Sequence, residues 1–194
     1  MNKPIVNKKY LTLYEETAKH RIMKTLFKFS DVEFSLSDLA KEAGVAKANI
    51  GKILAELEKL GLIDITKLSK IWRIKANKEN WNFQKSKIVY NLNFVYQSGL
   101  LEFLIDYFKN PTSIAFFGSF RKGEDISTSD IDIAIEDKTI RDYEVIGLKE
   151  LLDFEKIINR KIQIHLFNRK KVDDGVFNNI ANGIVLSGFL EVKK

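Results

Sequence analysis

The sequence contains no cysteine and only two histidines in 194 residues. The lack of cysteine excludes disulfides and thiolate zinc sites, and two histidines argue against a metal site built from imidazoles. No apolar run approaches the ~18 residues of a membrane-spanning helix. Residues 1–9 also lack the apolar core of a signal peptide. We therefore expect a soluble, cytoplasmic protein without a membrane partner.

The chain does contain ample apolar material and an uneven distribution of charge. Hydrophobic residues make up 45% of the sequence, enough for one generous domain or two small ones. Residues 1–85 carry 17 Lys and Arg against 10 Asp and Glu, a net charge of +7, whereas residues 86–194 carry 15 against 16, a net charge of −1. This asymmetry predicts a basic module, whose usual partner is nucleic acid, beside a nearly neutral one.

A Gly-Ser pair, Gly118 and Ser119, directly follows an apolar run over 113–117. The run predicts a buried strand that leads into a turn. Glycine allows the backbone to come close to a ligand, and the serine hydroxyl adds a hydrogen-bond donor. Because backbone N–H groups at such a turn can bind phosphate oxygens, the pair is a candidate phosphate-binding site.

Two carboxylates, Asp130 and Asp132, follow with one residue between them. In a strand this spacing places both on one face, while Ile131, Ile133 and Ile135 point to the opposite, core side. Adjacent carboxylates repel each other unless a cation lies between them, and hard oxygen ligands suit Mg²⁺. We predict that the pair holds magnesium.

This pattern resembles the DNA polymerase β-like nucleotidyltransferases, most closely their minimal single-domain branch. The resemblance extends from about residue 88 to the C-terminus. It implies a small mixed sheet packed by helices, a Gly-Ser turn that binds a nucleoside triphosphate (ATP is the expected one) and paired aspartates that bind Mg²⁺. The nucleotide-binding residues that it implies are Gly118, Ser119, Arg121, Gly123 and Ser129.

One departure concerns the third carboxylate, which this family normally supplies from a neighbouring strand. The corresponding run is 161–167, whose alternation places Gln163 where the Asp is expected, with His165 on the same face. Glutamine can offer a carbonyl oxygen to a metal, but it is uncharged and cannot act as a base. We therefore take Asp130, Asp132 and Gln163 as candidate catalytic residues and expect attenuated catalysis. His165 is either a proton acceptor or, the reading we favour, a polar residue at a strand end.

The basic half predicts three helices and a ribbon. Apolar residues recur at helical spacing over 13–29, a capped short helix covers 34–44, and a further apolar stripe covers 48–61. Two short helices joined by a tight turn with a glycine are typical of a helix-turn-helix. Two strands, 62–66 and 71–75, then follow.

This order resembles a winged helix-turn-helix domain of the transcriptional-regulator type, over about residues 10–78. The resemblance implies that the second helix of the motif enters the DNA major groove and that the ribbon contacts phosphates. The DNA-binding residues that it implies are Lys47, Asn49 and Lys52 on the helix and Lys67, Lys70 and Arg73 on the ribbon. Alternatively, these residues form a solvated face and the domain mediates protein contacts or dimerisation.

The polar segment 77–86 is predicted to be a linker in which Trp81 and Phe83 dock the domains together. A helix over 87–108 that can break at Gly99, and another over 144–158, are predicted beyond it. The expected class is α+β, with a winged helix-turn-helix at 1–85 and a nucleotidyltransferase-like domain at 86–194.

Three functions compete. The first is Mg²⁺-dependent transfer of a nucleoside monophosphate from a nucleoside triphosphate to an acceptor hydroxyl, on a small molecule or on a protein such as a toxin. The second is a DNA-binding regulator that senses nucleotide with little turnover, which Gln163 favours. The third is a structural module that forms homodimers. We rank the first slightly above the second.

Overall fold

The structure is a computed structural model that describes residues 17–68 and 71–192. Its N-terminal part consists of three helices followed by an antiparallel two-stranded ribbon. The elements are α1 (Ala18–Lys28), α2 (Leu36–Glu42), α3 (Lys47–Lys59), β1 (Ile63–Leu68) and β2 (Ile71–Ala76). They lie where the periodicity predicted them. The beginning of the helix predicted over 13–29 and the ribbon residue Lys70 lie outside the described residues.

Local hydrogen bonds explain where the first helices begin. The Thr17 hydroxyl accepts a hydrogen bond from the His20 N–H at 3.2 Å, and the Ser35 hydroxyl accepts one from the Asp38 N–H at 3.1 Å. α3 begins after Ala46, which has no side-chain cap. The ribbon is held to the start of α2 by a bridge in which Phe34 and Ile74 exchange two backbone hydrogen bonds, of 2.8 and 2.9 Å.

A single helix crosses from the N-terminal part into the C-terminal part. α4 (Trp81–Gln97) begins after Asn80, whose side chain accepts the Asn82 N–H at 2.8 Å. Phe83 is buried in the N-terminal core, whereas Phe94, on the same helix, is buried beneath the C-terminal sheet. The prediction of a linker is therefore wrong from Trp81 onwards, because Asn80 caps a helix there and Phe83 anchors it.

Trp81 and Phe83, the two aromatic residues of that segment, differ in their exposure. Trp81 is 62% exposed, so the prediction that it docks the domains together is wrong. Phe83 is buried against Phe27, with ring centroids 5.2 Å apart. The predicted break at Gly99 is confirmed, since this residue adopts φ +85°, a value that glycine tolerates best. α5 (Leu100–Tyr107) begins directly after it.

The C-terminal part is a five-stranded mixed sheet with helices on both faces. Its strands are β3 (Ser113–Phe117), β4 (Ile131–Glu136), β5 (Glu144–Ile146), β6 (Ile162–Phe167) and β7 (Ile184–Gly188), in the order β5-β6-β4-β3-β7. Of the four pairings only β4 with β6 is parallel. The remaining helices are α6 (Gly118–Lys122), α7 (Leu152–Ile158) and α8 (Asp174–Ala181). Residues of α4, α5 and α7 cover one face of the sheet and residues of α8 the other, and the expected mixed α+β architecture is confirmed.

The helix predicted over 144–158 is wrong in its first part. Glu144–Ile146 forms the edge strand β5, a 3₁₀ turn covers Lys149–Leu151, and the α-helix begins at Leu152. Val145 and Ile146 are β-branched, and the strand pairs with an edge of β6 that would otherwise have no partner on that side. No helix in the described part of the chain is long and apolar enough to cross a membrane.

Candidate nucleotide and metal site

Gly118 and Asp132 are forced into close contact where β3 ends. Phe117 pairs with Asp132 across the antiparallel strands β3 and β4, and Gly118 follows at the start of α6. Gly118 adopts φ +75°, and a Cβ added there would overlap the Asp132 carboxylate, whose Cγ would be 3.0 Å away. Only glycine allows this approach. The structure therefore brings the Gly-Ser turn and the second aspartate of the pair together.

Gln163 lies beside the aspartates on the neighbouring strand. The parallel register of β4 and β6 pairs Asp132 with Gln163. The Gln163 side-chain amide donates a hydrogen bond to Asp130 Oδ2 at 2.5 Å, and Asp130 itself directly precedes β4. The chain thus presents an amide N–H to Asp130 from the position where the resemblance predicts a carboxylate.

His165 and Tyr143 form a hydrogen-bonded chain behind Asp132. His165 Nε2 lies 3.1 Å from Asp132 Oδ1, and the Tyr143 hydroxyl lies against His165 Nδ1. Burial, together with the negative charge of Asp132, raises the pKa of the Tyr143 phenol above its ordinary value, so the hydroxyl keeps its proton at neutral pH. In the neutral ring, Tyr143 then donates to Nδ1, and Nε2 carries the proton that is donated to Asp132.

His165 is therefore not the polar residue at a strand end that we favoured from the sequence. It is 8% exposed and lies within β6. Its ring packs edge-on against Phe117, with centroids 4.8 Å apart. Tyr143, which orients it, was missed in the sequence, because no local pattern connects the loop before β5 to a residue in β6.

The donor set fits a magnesium ion carried by a nucleotide. Mg²⁺ is commonly bound through one or two carboxylates together with substrate phosphates and water. Among the described residues, neither Asp130 nor Asp132 is paired with a lysine or arginine, so their negative charge remains available to a cation. Within the same residues no group of three histidine, cysteine, aspartate or glutamate side chains is arranged to hold a metal.

The other candidate nucleotide-binding residues lie in α6 or in the loop that follows it. An Arg121 Nη donates to the Asn182 carbonyl. Gly123 ends α6 with φ +70°, and a Cβ there would lie 2.9 Å from the Gln84 carbonyl oxygen of α4. The Ser129 hydroxyl accepts the Ile126 N–H at 2.9 Å and so closes a loop. Ser119 lies in the first turn of α6, next to Gly118.

The candidate DNA-binding residues lie on the surface of the N-terminal part. Lys47, Asn49 and Lys52 are all exposed on α3, and Lys47 Nζ donates to the Ser37 hydroxyl at 2.8 Å. On the ribbon, Lys67 Nζ lies 4.5 Å from the centre of the Trp72 ring. Arg73 Nε lies 3.3 Å from Glu33 Oε1.

A buried ionic cluster, which sequence reasoning also missed, joins the two parts of the molecule. Asp125 Oδ1 lies 3.2 Å from Lys87 Nζ, and Asp125 Oδ2 lies 3.5 Å from Arg160 Nη2. Lys87 and Asp125 are each 1% exposed. Burial lowers the pKa of Lys87 and raises the pKa of Asp125. The signal in the sequence was a lysine four residues after Phe83, on the helix face that is otherwise apolar.

Residues 100–188 match the family model described as "Polymerase beta, Nucleotidyltransferase". The matched region includes Gly118, both aspartates and Gln163. The match supports the nucleotidyltransferase superfamily for this part of the chain, and with it nucleotidyl transfer in general, a nucleoside triphosphate as substrate and usually a divalent metal. No curated protein and no solved structure matches the chain.

Proposed function

We propose that the protein transfers a nucleoside monophosphate from a nucleoside triphosphate, with ATP as the expected donor, to an acceptor hydroxyl in a Mg²⁺-dependent reaction. The observation that carries this proposal is the contact between Gly118 and Asp132, which joins a phosphate-binding turn to a pair of carboxylates without a lysine or arginine partner among the described residues. A buried structural pair would be neutralised by protein cations instead.

The residues of the chain divide the work as follows. Ser119 and the backbone of the turn bind phosphate oxygens, and Asp130 and Asp132 hold the metal. Bound Mg²⁺ would neutralise the triphosphate and help to align the attacking and leaving oxygens. His165, held by Tyr143, fixes the orientation of the Asp132 carboxylate.

A second candidate function is nucleotide sensing with little turnover, and the Gln163 amide favours it. This amide donates to Asp130 and provides neither a charge nor a base. A site of this kind can still bind a metal–triphosphate complex while it activates the acceptor hydroxyl poorly. We therefore expect Gln163 to lower the transfer rate under both candidate functions. The two candidates differ in how much transfer activity remains.

We further propose that the N-terminal part is a winged helix-turn-helix that binds DNA. The order of α1, α2, α3 and the ribbon supports this, as does the bridge between Phe34 and Ile74, which holds the ribbon to the helices. The exposed Lys47, Asn49 and Lys52 supply a surface for phosphates and base edges. Alternatively, this surface is a solvated face and the N-terminal part mediates protein contacts or homodimer formation. A protein such as a toxin is a candidate acceptor in the transfer reaction.

One experiment separates the transferase from the nucleotide sensor. The full chain is incubated with labelled ATP, Mg²⁺ and candidate acceptors, including the protein itself, beside an Asp130→Asn, Asp132→Asn double variant as the control. Label transferred only by the unaltered protein supports the enzyme. Mg²⁺-dependent binding without transfer supports the sensor. If neither is found, both candidates are rejected.

A further inference from the structure

The loop that leads into the metal site is held by the N-terminal part of the molecule. Residues 123–130 connect α6 to β4 and end at Asp130. Asp31, in the turn between α1 and α2, accepts two hydrogen bonds from Ser127 in this loop. The Ser127 N–H donates to Asp31 Oδ1 at 2.7 Å and the Ser127 hydroxyl to Asp31 Oδ2 at 2.7 Å. Both are charge-assisted bonds, which are stronger than bonds between neutral groups.

A second anchor lies two residues earlier in the loop. The backbone carbonyl of Asp125 accepts hydrogen bonds from the Ser30 hydroxyl at 3.0 Å and from Lys87 Nζ. The Asp125 carboxylate accepts one from Asn91 Nδ2 at 3.0 Å. All four residues are 3% exposed or less. The same short turn of the N-terminal part, Ser30 and Asp31, therefore contacts the loop at two points.

The loop passes this restraint on towards Asp130. Between Ile126 and Ser129 it is closed by two hydrogen bonds, one to the Ser129 hydroxyl at 2.9 Å and one from the Ser129 N–H to the Ile126 carbonyl at 3.0 Å. Asp130 is the next residue, and it is held from the other side by Gln163. Asp31 is thus connected to the first aspartate of the pair through its hydrogen bonds to Ser127 and through the short, internally hydrogen-bonded chain segment from Ser127 to Asp130.

We propose that Asp31 is a positioning residue of the nucleotide site: by binding Ser127, it fixes the loop that presents Asp130. The inference rests on the proposed function, which it deepens by adding a regulatory link. A ligand that displaces the α1–α2 turn would alter nucleotide binding, and by reciprocity nucleotide would alter the affinity for that ligand. Burial acts to raise the pKa of Asp31, but the bonds from Ser127 outweigh it and hold the pKa below its ordinary value, so the carboxylate is ionised at neutral pH.

The first test follows the loop itself and needs no nucleotide. Hydrogen–deuterium exchange is measured on the full chain for Asp31→Ala, with Glu33→Ala as the matched control, because Glu33 is an acidic residue of the same turn that pairs with Arg73 within the N-terminal part. We expect faster exchange in Asp31→Ala at Ser127 and also at Ile131, whose N–H donates to the Lys161 carbonyl at 2.8 Å. Faster exchange at Ser127 alone, or at neither amide, overturns the inference.

The second test measures binding of the Mg²⁺–ATP complex by calorimetry. We expect Asp31→Ala to weaken binding about five- to tenfold and the double variant Asp31→Ala, Ser127→Ala to be no weaker than Asp31→Ala alone. Asp31→Asn keeps one acceptor oxygen and Ser127→Ala keeps the backbone N–H bond to Asp31, so both should be intermediate. Equal affinity of Asp31→Ala and the unaltered protein overturns the inference but leaves the function standing. Absence of binding by the unaltered protein rejects the function, and the exchange result then decides on the loop alone.

Discussion

Asp125 and Asp130 lie only five residues apart, yet their surroundings are opposite. Asp125 is 1% exposed and lies between Lys87 and Arg160. Asp130 is partly exposed, and its partner Gln163 is uncharged. The first carboxylate lies between two cationic side chains, whereas the second, like Asp132, has no lysine or arginine partner among the described residues.

This difference shows how to tell a structural carboxylate from a binding one. A buried, neutralised charge contributes to the way two parts of a molecule fit together, and losing one partner is strongly destabilising. A pair of carboxylates that repel each other destabilises the fold slightly and is relieved by a cation. Substitutions in the two regions should therefore have different consequences: loss of stability at the first, and loss of binding at the second.

The largest expected effect is at the buried ionic cluster of Lys87, Asp125 and Arg160. Lys87→Met leaves the buried Asp125 with Arg160 as its remaining cationic partner, and we expect the free energy of unfolding to fall by about 3–5 kcal/mol. Denaturant unfolding followed by circular dichroism measures it. Lys85→Met is the matched control, because Lys85 is an exposed lysine half a turn earlier on α4, and its change should stay within about 0.5 kcal/mol. Equal stability of both variants would mean that the ion pair between Lys87 and Asp125 does not stabilise the fold.

At the metal site the effect should be on binding. We expect the Asp130→Asn, Asp132→Asn double variant to bind the Mg²⁺–ATP complex about 100-fold more weakly or worse, since loss of a metal ligand exceeds the 10–100-fold effect of losing a neighbour of a ligand. Equilibrium dialysis with labelled ATP measures this. The unfolding midpoint should stay the same or rise, because two repelling charges are removed. A clearly lower midpoint with unchanged binding would mean that the aspartate pair stabilises the fold and does not bind the Mg²⁺–ATP complex.

Gln163→Asp sharpens the comparison by adding the missing charge. We expect transfer activity to rise by roughly ten- to a hundredfold, because the variant regains a metal ligand and a base. Gln163→Asn, which has the same size without the charge, should show no such gain. Initial rates of label transfer give the result. Unchanged or lower activity in a folded Gln163→Asp protein would indicate that another group already performs this role.

The smallest effect is expected on the exposed basic surface. Lys52→Gln should reduce the slope of log affinity for DNA against log salt concentration by about one unit, because one phosphate contact is lost. A gel-shift series over salt concentration tests this on the full chain, since a cut after residue 85 would divide α4. Lys149→Gln, at an exposed lysine of the C-terminal part, serves as control. If both variants keep the original slope, Lys52 does not contact phosphate.

The parts of the site that could be predicted from the sequence are those set by short spacing. Three local patterns are involved: the one-residue spacing of the two aspartates, the glycine after an apolar run and the alternation around Gln163. Because side chains alternate between the two faces of a sheet, such patterns predict on which face a residue lies. Gly118, Asp132 and Gln163 accordingly meet as expected.

The remaining features depend on contacts between distant segments. Tyr143 reaches His165 only because β5 pairs with β6, and the periodicity of 144–158 predicted a helix there. Asp31 and Ser127 are 96 residues apart in the chain, and nothing in either local sequence indicates the other. The polar stretch 77–86 predicts a linker around Asn80, because a single capping residue is a weak signal within a polar stretch.

The central claim is that the charge of the aspartate pair is neutralised by a nucleotide-bound metal and not by the protein. Calorimetric titration of ATP into the unaltered protein, once with Mg²⁺ and once with a chelator, tests it most directly. We predict binding with Mg²⁺ and none with the chelator, since the triphosphate and the two carboxylates then repel each other. Equal binding in both titrations, or no binding in either, would contradict the claim.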